Sequence, residues 1–180
     1  MVKIIQSGHP TLRAHASTVL IKDIGSPKIK KILSDMKKAL AGEDDGVAIA
    51  APQINISLRI FVVSGKVFNE SFIRGGDNLE MTKSEDKVYI NPKITKMSKD
   101  RKLLSEGCLS VRPMYGKVRR ATRASIEAYD ENGKKFTMDA SGLLAHIFQH
   151  ETDHLDGILF IDKAKDLHEA TPEEEYKNGK

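Results

Sequence analysis

Two stretches of the chain repeat their apolar residues at helical spacing, and short runs of β-branched and aromatic residues lie around them. In the first, Ile29, Ile32, Leu33, Met36 and Leu40 recur at intervals of three and four, with lysines on the opposite face. Ser26 followed by Pro27 supplies an N-cap and a proline at the first helical position, and Gly42 supplies a stop. The second helical stretch has Asp139 or Ser141 as its cap candidate, runs to about Leu155 and stops at Gly157.

Strand-like runs fall at residues 58–63, 87–92, 93–97, 116–121, 124–129, 135–140 and 158–161. Asp130, Glu131, Asn132 and Gly133 form an Asn-Gly hairpin signal, so the segment from Lys135 is expected to return antiparallel. Residues 1–25 read as an irregular arm, anchored by Leu12 and Val19. Residues 64–86 read as a long surface loop with a short element near 68–73, and the charged tail over 162–180 is expected to fray. The pattern predicts an α+β fold: short antiparallel sheets packed around a central helix, plus one N-terminal amphipathic helix.

Composition narrows the class. A chain of 180 residues and 20.0 kDa suits one domain, and no internal repeat or linker divides it. No apolar run approaches the roughly 20 residues of a membrane span. The N-terminus, MVKIIQSGHPTLR, lacks a secretory apolar region, so a cytoplasmic protein without a membrane partner is expected. The net charge of +4 is modest, and the lysines at 28, 30, 31, 37 and 38 read as a solvated face, so no specific nucleic-acid partner is inferred. Cys108 is the only cysteine, which excludes an internal disulfide.

The chemistry is concentrated in Gln149-His150-Glu151-Thr152-Asp153-His154. Residues four apart share one helix face, so both imidazoles can reach one ion. Glu151, about 100° round the helix, can address a water on that ion without being a ligand. A helix carries this spacing by chance often enough that the motif alone does not decide. Its apolar neighbours Ile147, Phe148 and Leu155 favour a buried site. His146 lies a further turn back. Three ligands on one straight helix would splay over about 12 Å, so His146 is expected to border a cleft instead. Cys108 is the best third ligand, since a metal stabilises its thiolate and Gly107 lets the backbone come close. Gly46 to Gln53 is built from small residues; it reads as a buried turn and strand, or as a backbone that a peptide can approach.

GVAIAAPQ, EGCLS and QHETDHLDG, in this order and spacing, resemble the three signature motifs of peptide deformylases. The likeness extends over most of the chain, from HPTLR to the run that leads into the second helix, and the second and third motifs agree at every position. The resemblance implies Cys108, His150 and His154 as ligands of one divalent metal, Fe²⁺ in the cell, with Zn²⁺, Ni²⁺ or Co²⁺ able to replace it. It implies Glu151 as general acid and base, and Gln53 with the backbone N–H of Leu109 as donors to the developing oxyanion. It also implies a methionine slot bordered by Val47, Leu104, Leu143, His146 and Ile147, and a peptide backbone paired beside Val47, Ala48 and Gly107. By position, Glu106 and Asp153 are candidates to orient the histidines.

The implied substrates are N-formylmethionyl nascent peptides, and transient ribosome association follows from that class. The family carries glycine where this chain has Ala48, so a catalytically impaired formyl-peptide-binding protein is one alternative. A zinc peptidase, suggested by the His-Glu-x-x-His helix alone, is the other.

Overall fold

The computed structural model describes residues 2–69 and 84–178. Helix α1 spans Pro27–Ala41, and the Ser26 hydroxyl accepts the Ile29 N–H at 3.3 Å, as its N-cap position requires. Strands β1 (Ala48–Ala50), β2 (Ile60–Val63), β3 (Lys87–Met97), β6 (Arg123–Tyr129) and β7 (Lys135–Ser141) form an antiparallel sheet in the order β1-β2-β3-β6-β7. Strands β4 (Arg101–Gly107), β5 (Met114–Ala121) and β8 (Lys165–Glu169) form a second sheet in the order β4-β5-β8. Helix α2 spans Gly142–Leu155 and α3 spans Pro172–Asn178. The expected α+β class is therefore the observed one.

Strand β2 shows why the larger sheet needs two helices. Its side chains alternate between faces, and all four residues are buried. Ile60 and Val62 join Ile32, Leu33 and Met36 of α1, whereas Phe61 and Val63 join Ile147, Phe148 and Leu155 of α2. On the α2 side Phe61 stacks on Tyr89 at 4.5 Å and Phe148 meets the Tyr89 ring edge-on at 5.3 Å. Gln149 fixes the rotation of α2: its amide accepts the Ala121 N–H at 2.9 Å and donates to the Ala121 carbonyl at 3.0 Å. The helix therefore touches the larger sheet with one side and the end of β5 with another.

Several expectations need correction. Residues 87–97 form one strand, because Asn91 adopts a left-handed φ of 51° and makes a bulge where Pro92 suggested a break. The apolar run at 158–161 is not a strand; Phe160–Asp162 is a 3-10 turn, and the Asp162 carboxylate accepts the Leu159 N–H at 2.9 Å. The tail does not fray after Asp162: β8 pairs with β5, placing Lys165 opposite Lys117 and His168 opposite Tyr115. Ser141 sits at the N-cap of α2 without giving a side-chain cap bond, and Asp139 accepts from the Ser125 hydroxyl instead. A 3-10 turn occupies Gly65–Phe68; the rest of the element expected near 68–73 falls outside the described residues apart from Asn69.

Gly157 ends α2 at φ 74°, with the Ile158 N–H returning to the Asp153 carbonyl at 2.9 Å. A Cβ here would sit 2.6 Å from the Arg13 carbonyl oxygen. Gly157→Ala is therefore expected to cost about 1–3 kcal/mol, read as a lower urea midpoint at unchanged slope.

Candidate active site

The two sheets and α2 meet around Cys108. Strand β4 ends at Gly107, which delivers the Cys108 thiol to the face of α2 on which His150 and His154 stand one turn apart. The Cys108 Sγ lies 3.1 Å from the His154 Nε2, and the two imidazole rings are 5.0 Å apart. One ligand atom from each of Cys108, His150 and His154 lies within 4.8 Å of the others. The donor set suits a divalent ion. A soft thiolate and two imidazoles are the ligands that late first-row metals take, with room for a fourth position.

Gln53 closes one side of this cluster. The Ala50 N–H donates to its Oε1 at 2.8 Å, which turns its NH₂ group toward Cys108 Sγ at 3.6 Å and Ser110 Oγ at 3.2 Å. The amide orientation is therefore set by backbone. On the other side Glu151 is buried, and its Oε2 has no hydrogen-bond partner among the described residues. Burial pushes its carboxyl up to about 7, against the pull of the neighbouring His150.

Beneath the histidines lies a buried charge network. Arg120 grips Glu106 with two bonds, Nε to Oε1 at 2.6 Å and Nη2 to Oε2 at 3.0 Å. His150 Nδ1 meets the same carboxylate at 2.9 Å and His146 Nε2 meets it at 2.6 Å. Arg120 also donates to Asp153 at 2.6 Å, and Lys163 reaches Asp153 at 2.7 Å. Burial alone would raise the Glu106 pKa, but hydrogen bonds from His146, His150 and Arg120 hold it well below the usual carboxylate range. Glu106 thus contacts a histidine directly. Asp153 reaches the network only through Arg120.

An open cleft of about 230 Å³ leads to the cluster. Of the residues expected to border it, Val47, Ala48, Gly107, Leu143, His146 and Ile147 do so. Leu104 is not among the lining residues; on β4 it pairs opposite Val118. Residues that went unremarked in the sequence complete the wall, among them Asp45, Ser105, Arg112 and Tyr115. Arg112 joins Asp45 at 2.6 Å and Glu43 at 3.2 Å across the mouth. The Tyr115 ring packs where only glycine leaves room, since a Cβ at Gly107 would lie 2.4 Å from it.

A cysteine sulfur and two imidazoles converge beside a buried carboxylate on an α+β frame, a cluster that could hold a metal ion. The chain belongs to the polypeptide deformylase family, whose profile matches residues 1–170. It is 38% identical over 169 residues to peptide deformylase 1A, chloroplastic, of Solanum lycopersicum, covering 91% of this chain and 59% of that one. It is 39% identical over 140 residues to peptide deformylase 2 of Clostridium acetobutylicum, covering 78% and 81%. Among solved structures it resembles a Plasmodium falciparum peptide deformylase with a TM-score of 0.76 at 34% identity, over 91% of this chain and 87% of that one. The chain spans 59% and 60% of the length of the tomato and Arabidopsis thaliana relatives.

Proposed function

We propose that this chain is a metal-dependent deformylase that removes the formyl group from N-terminal formylmethionine and releases formate. The observation that carries the reading is the convergence of Cys108, His150 and His154 within 4.8 Å, flanked by the Gln53 amide and the buried Glu151. Cys108, His150 and His154 hold one divalent ion, Fe²⁺ in the cell, with Zn²⁺, Ni²⁺ or Co²⁺ able to occupy the same donors. When bound, such an ion acts as a Lewis acid and lowers the pKa of water from 15.7 to about 7.

The chain's own groups do the rest. Glu151 accepts the proton of the attacking water and returns it to the amine as the formyl C–N bond breaks, leaving formate and a free α-amine. A carboxyl near 7 suits both transfers, because it is close to balance between its two forms at neutral pH. Gln53 Nε2 and the Leu109 N–H donate to the carbonyl oxygen as its charge grows. Val47, Leu143, His146 and Ile147 border the methionine side chain, and the peptide backbone runs beside Val47, Ala48 and Gly107 as an added strand.

The reading also assigns partners and place. The substrates are nascent formylated chains, with transient ribosome association, in the cytoplasm, and one catalytic domain contains the whole site. No described helix is long and apolar enough to cross a membrane. Gln53→Ala is expected to lower kcat about 10²–10³-fold, the usual loss for one oxyanion donor, with KM little changed. The function itself is tested with formyl-Met-Ala-Ser: formate release under anaerobic conditions supports it. Cleavage only of unformylated peptides, or binding of the formyl peptide without release, overturns it.

A further inference from the structure

The third histidine of α2 remains without a task beyond lining the cleft. We propose that His146 is a positioning residue for the metal site: through Glu106 it fixes the ring of His150.

His146 stands one turn before His150 on the same helix face, so both rings hang over the same residue of β4. Each uses one oxygen of Glu106: His146 Nε2 meets Oε1 at 2.6 Å and His150 Nδ1 meets Oε2 at 2.9 Å. Arg120 takes the remaining directions from the opposite side. The carboxylate is then surrounded by donors and cannot rotate without breaking one of these contacts. Its hold on Nδ1 leaves His150 Nε2 as the nitrogen that faces Cys108, which is the relation a ligating histidine needs.

Glu106 has a side-chain exposure of 2%, whereas His146 and His150 have 12% and 13%, and all three border the cleft. With Nε2 committed to Glu106, His146 is also accounted for without ligating the ion. An aliphatic residue at this position would line the cleft equally well but would leave the cleft-side lone pair of Glu106 open to water.

The inference rests on the metal-site reading, and Ni²⁺ affinity measured by chelator competition separates the two. His146→Leu keeps bulk and removes the bond; it is expected to weaken Ni²⁺ binding by about 10–100-fold, and His146→Gln, which can still donate to Glu106, to recover to within about threefold of the parent. The kcat for formyl-Met-Ala-Ser should fall with His146→Leu more than KM rises. An affinity for His146→Leu equal to the parent's, or a loss that His146→Gln does not recover, overturns the role of His146. A parent chain that binds no Ni²⁺ overturns the metal reading instead. Should His146→Leu fail to fold, the unsubstituted Zn²⁺-loaded protein decides by nitrogen-15 histidine spectra. A protonated, slowly exchanging His146 Nε2 supports the role, and a ring that exchanges freely with solvent contradicts it.

Discussion

Glu151→Gln lowers kcat for formate release by about 10²–10⁴-fold, the usual contribution of a positioned acid–base group, while the protein keeps its metal. The two halves of this result belong together. Glu151 lies beside the cluster without being one of its three converging ligands, so removing its charge leaves Cys108, His150 and His154 in place. Glutamine matches the shape of the buried side chain and keeps a polar atom at the Oε2 position, which has no partner among the described residues. What it cannot do is accept a proton and return it. A variant that loses both metal and activity would make Glu151 a structural residue. A variant that retains more than a tenth of parental kcat would remove it from the mechanism.

Arg120→Met is expected to destabilise the fold by about 3–5 kcal/mol, the usual result of leaving one partner of a buried ion pair behind. Arg120 and Glu106 have side-chain exposures of 5% and 2%, and the same guanidinium also holds Asp153. Methionine fills the space of the stem but leaves Glu106 with two histidines as its side-chain hydrogen-bond donors among the described residues. Adding Glu106→Gln to Arg120→Met should recover part of the loss, because no uncompensated buried charge then remains. Urea unfolding of the single and double variants checks this. If Arg120→Met costs under about 1 kcal/mol, the range of exposed pairs, the network is not buried as described.

The physical reasons why parts of this molecule could be read in advance are specific. Helix α1 was legible because one face is buried and the other is lysine, so its periodicity is undiluted. Strand β2 was legible because burial on both faces makes it a continuous apolar run. Strand β8 was not, because every residue from Lys165 to Glu169 is exposed and the strand is held by backbone pairing to β5. Its composition therefore matches a solvated tail. The 158–161 run misled in the opposite way, since Leu159 and Phe160 are buried at the turn after α2 and belong to none of the described strands.

The site divides along the same line. The spacing of His150 and His154 is local, and one helix turn converts it into geometry without help. Cys108 and Gln53 are distant in sequence, and their convergence needed both the motifs and the sheet. The bonds of Glu106 to Arg120, 14 residues away, and of Arg112 to Asp45, 67 residues away, depend on strand register and loop placement. No local pattern encodes those. Leu104 is a related case: the end of β4 that borders the cleft is Ser105 to Gly107, and Leu104 lies just before it.

The central claim is that Cys108, His150 and His154 bind one catalytic ion beside Glu151. It is tested most directly by measuring bound metal and formate release on the same anaerobic preparation, before and after chelation. The account predicts about one divalent ion per chain, as one set of three ligands requires, with formate release from formyl-Met-Ala-Ser that disappears on chelation and returns with Fe²⁺ or Ni²⁺. Formate release that persists in fully metal-free protein, or a metal-loaded protein that releases none across Fe²⁺, Ni²⁺, Co²⁺ and Zn²⁺, would contradict it.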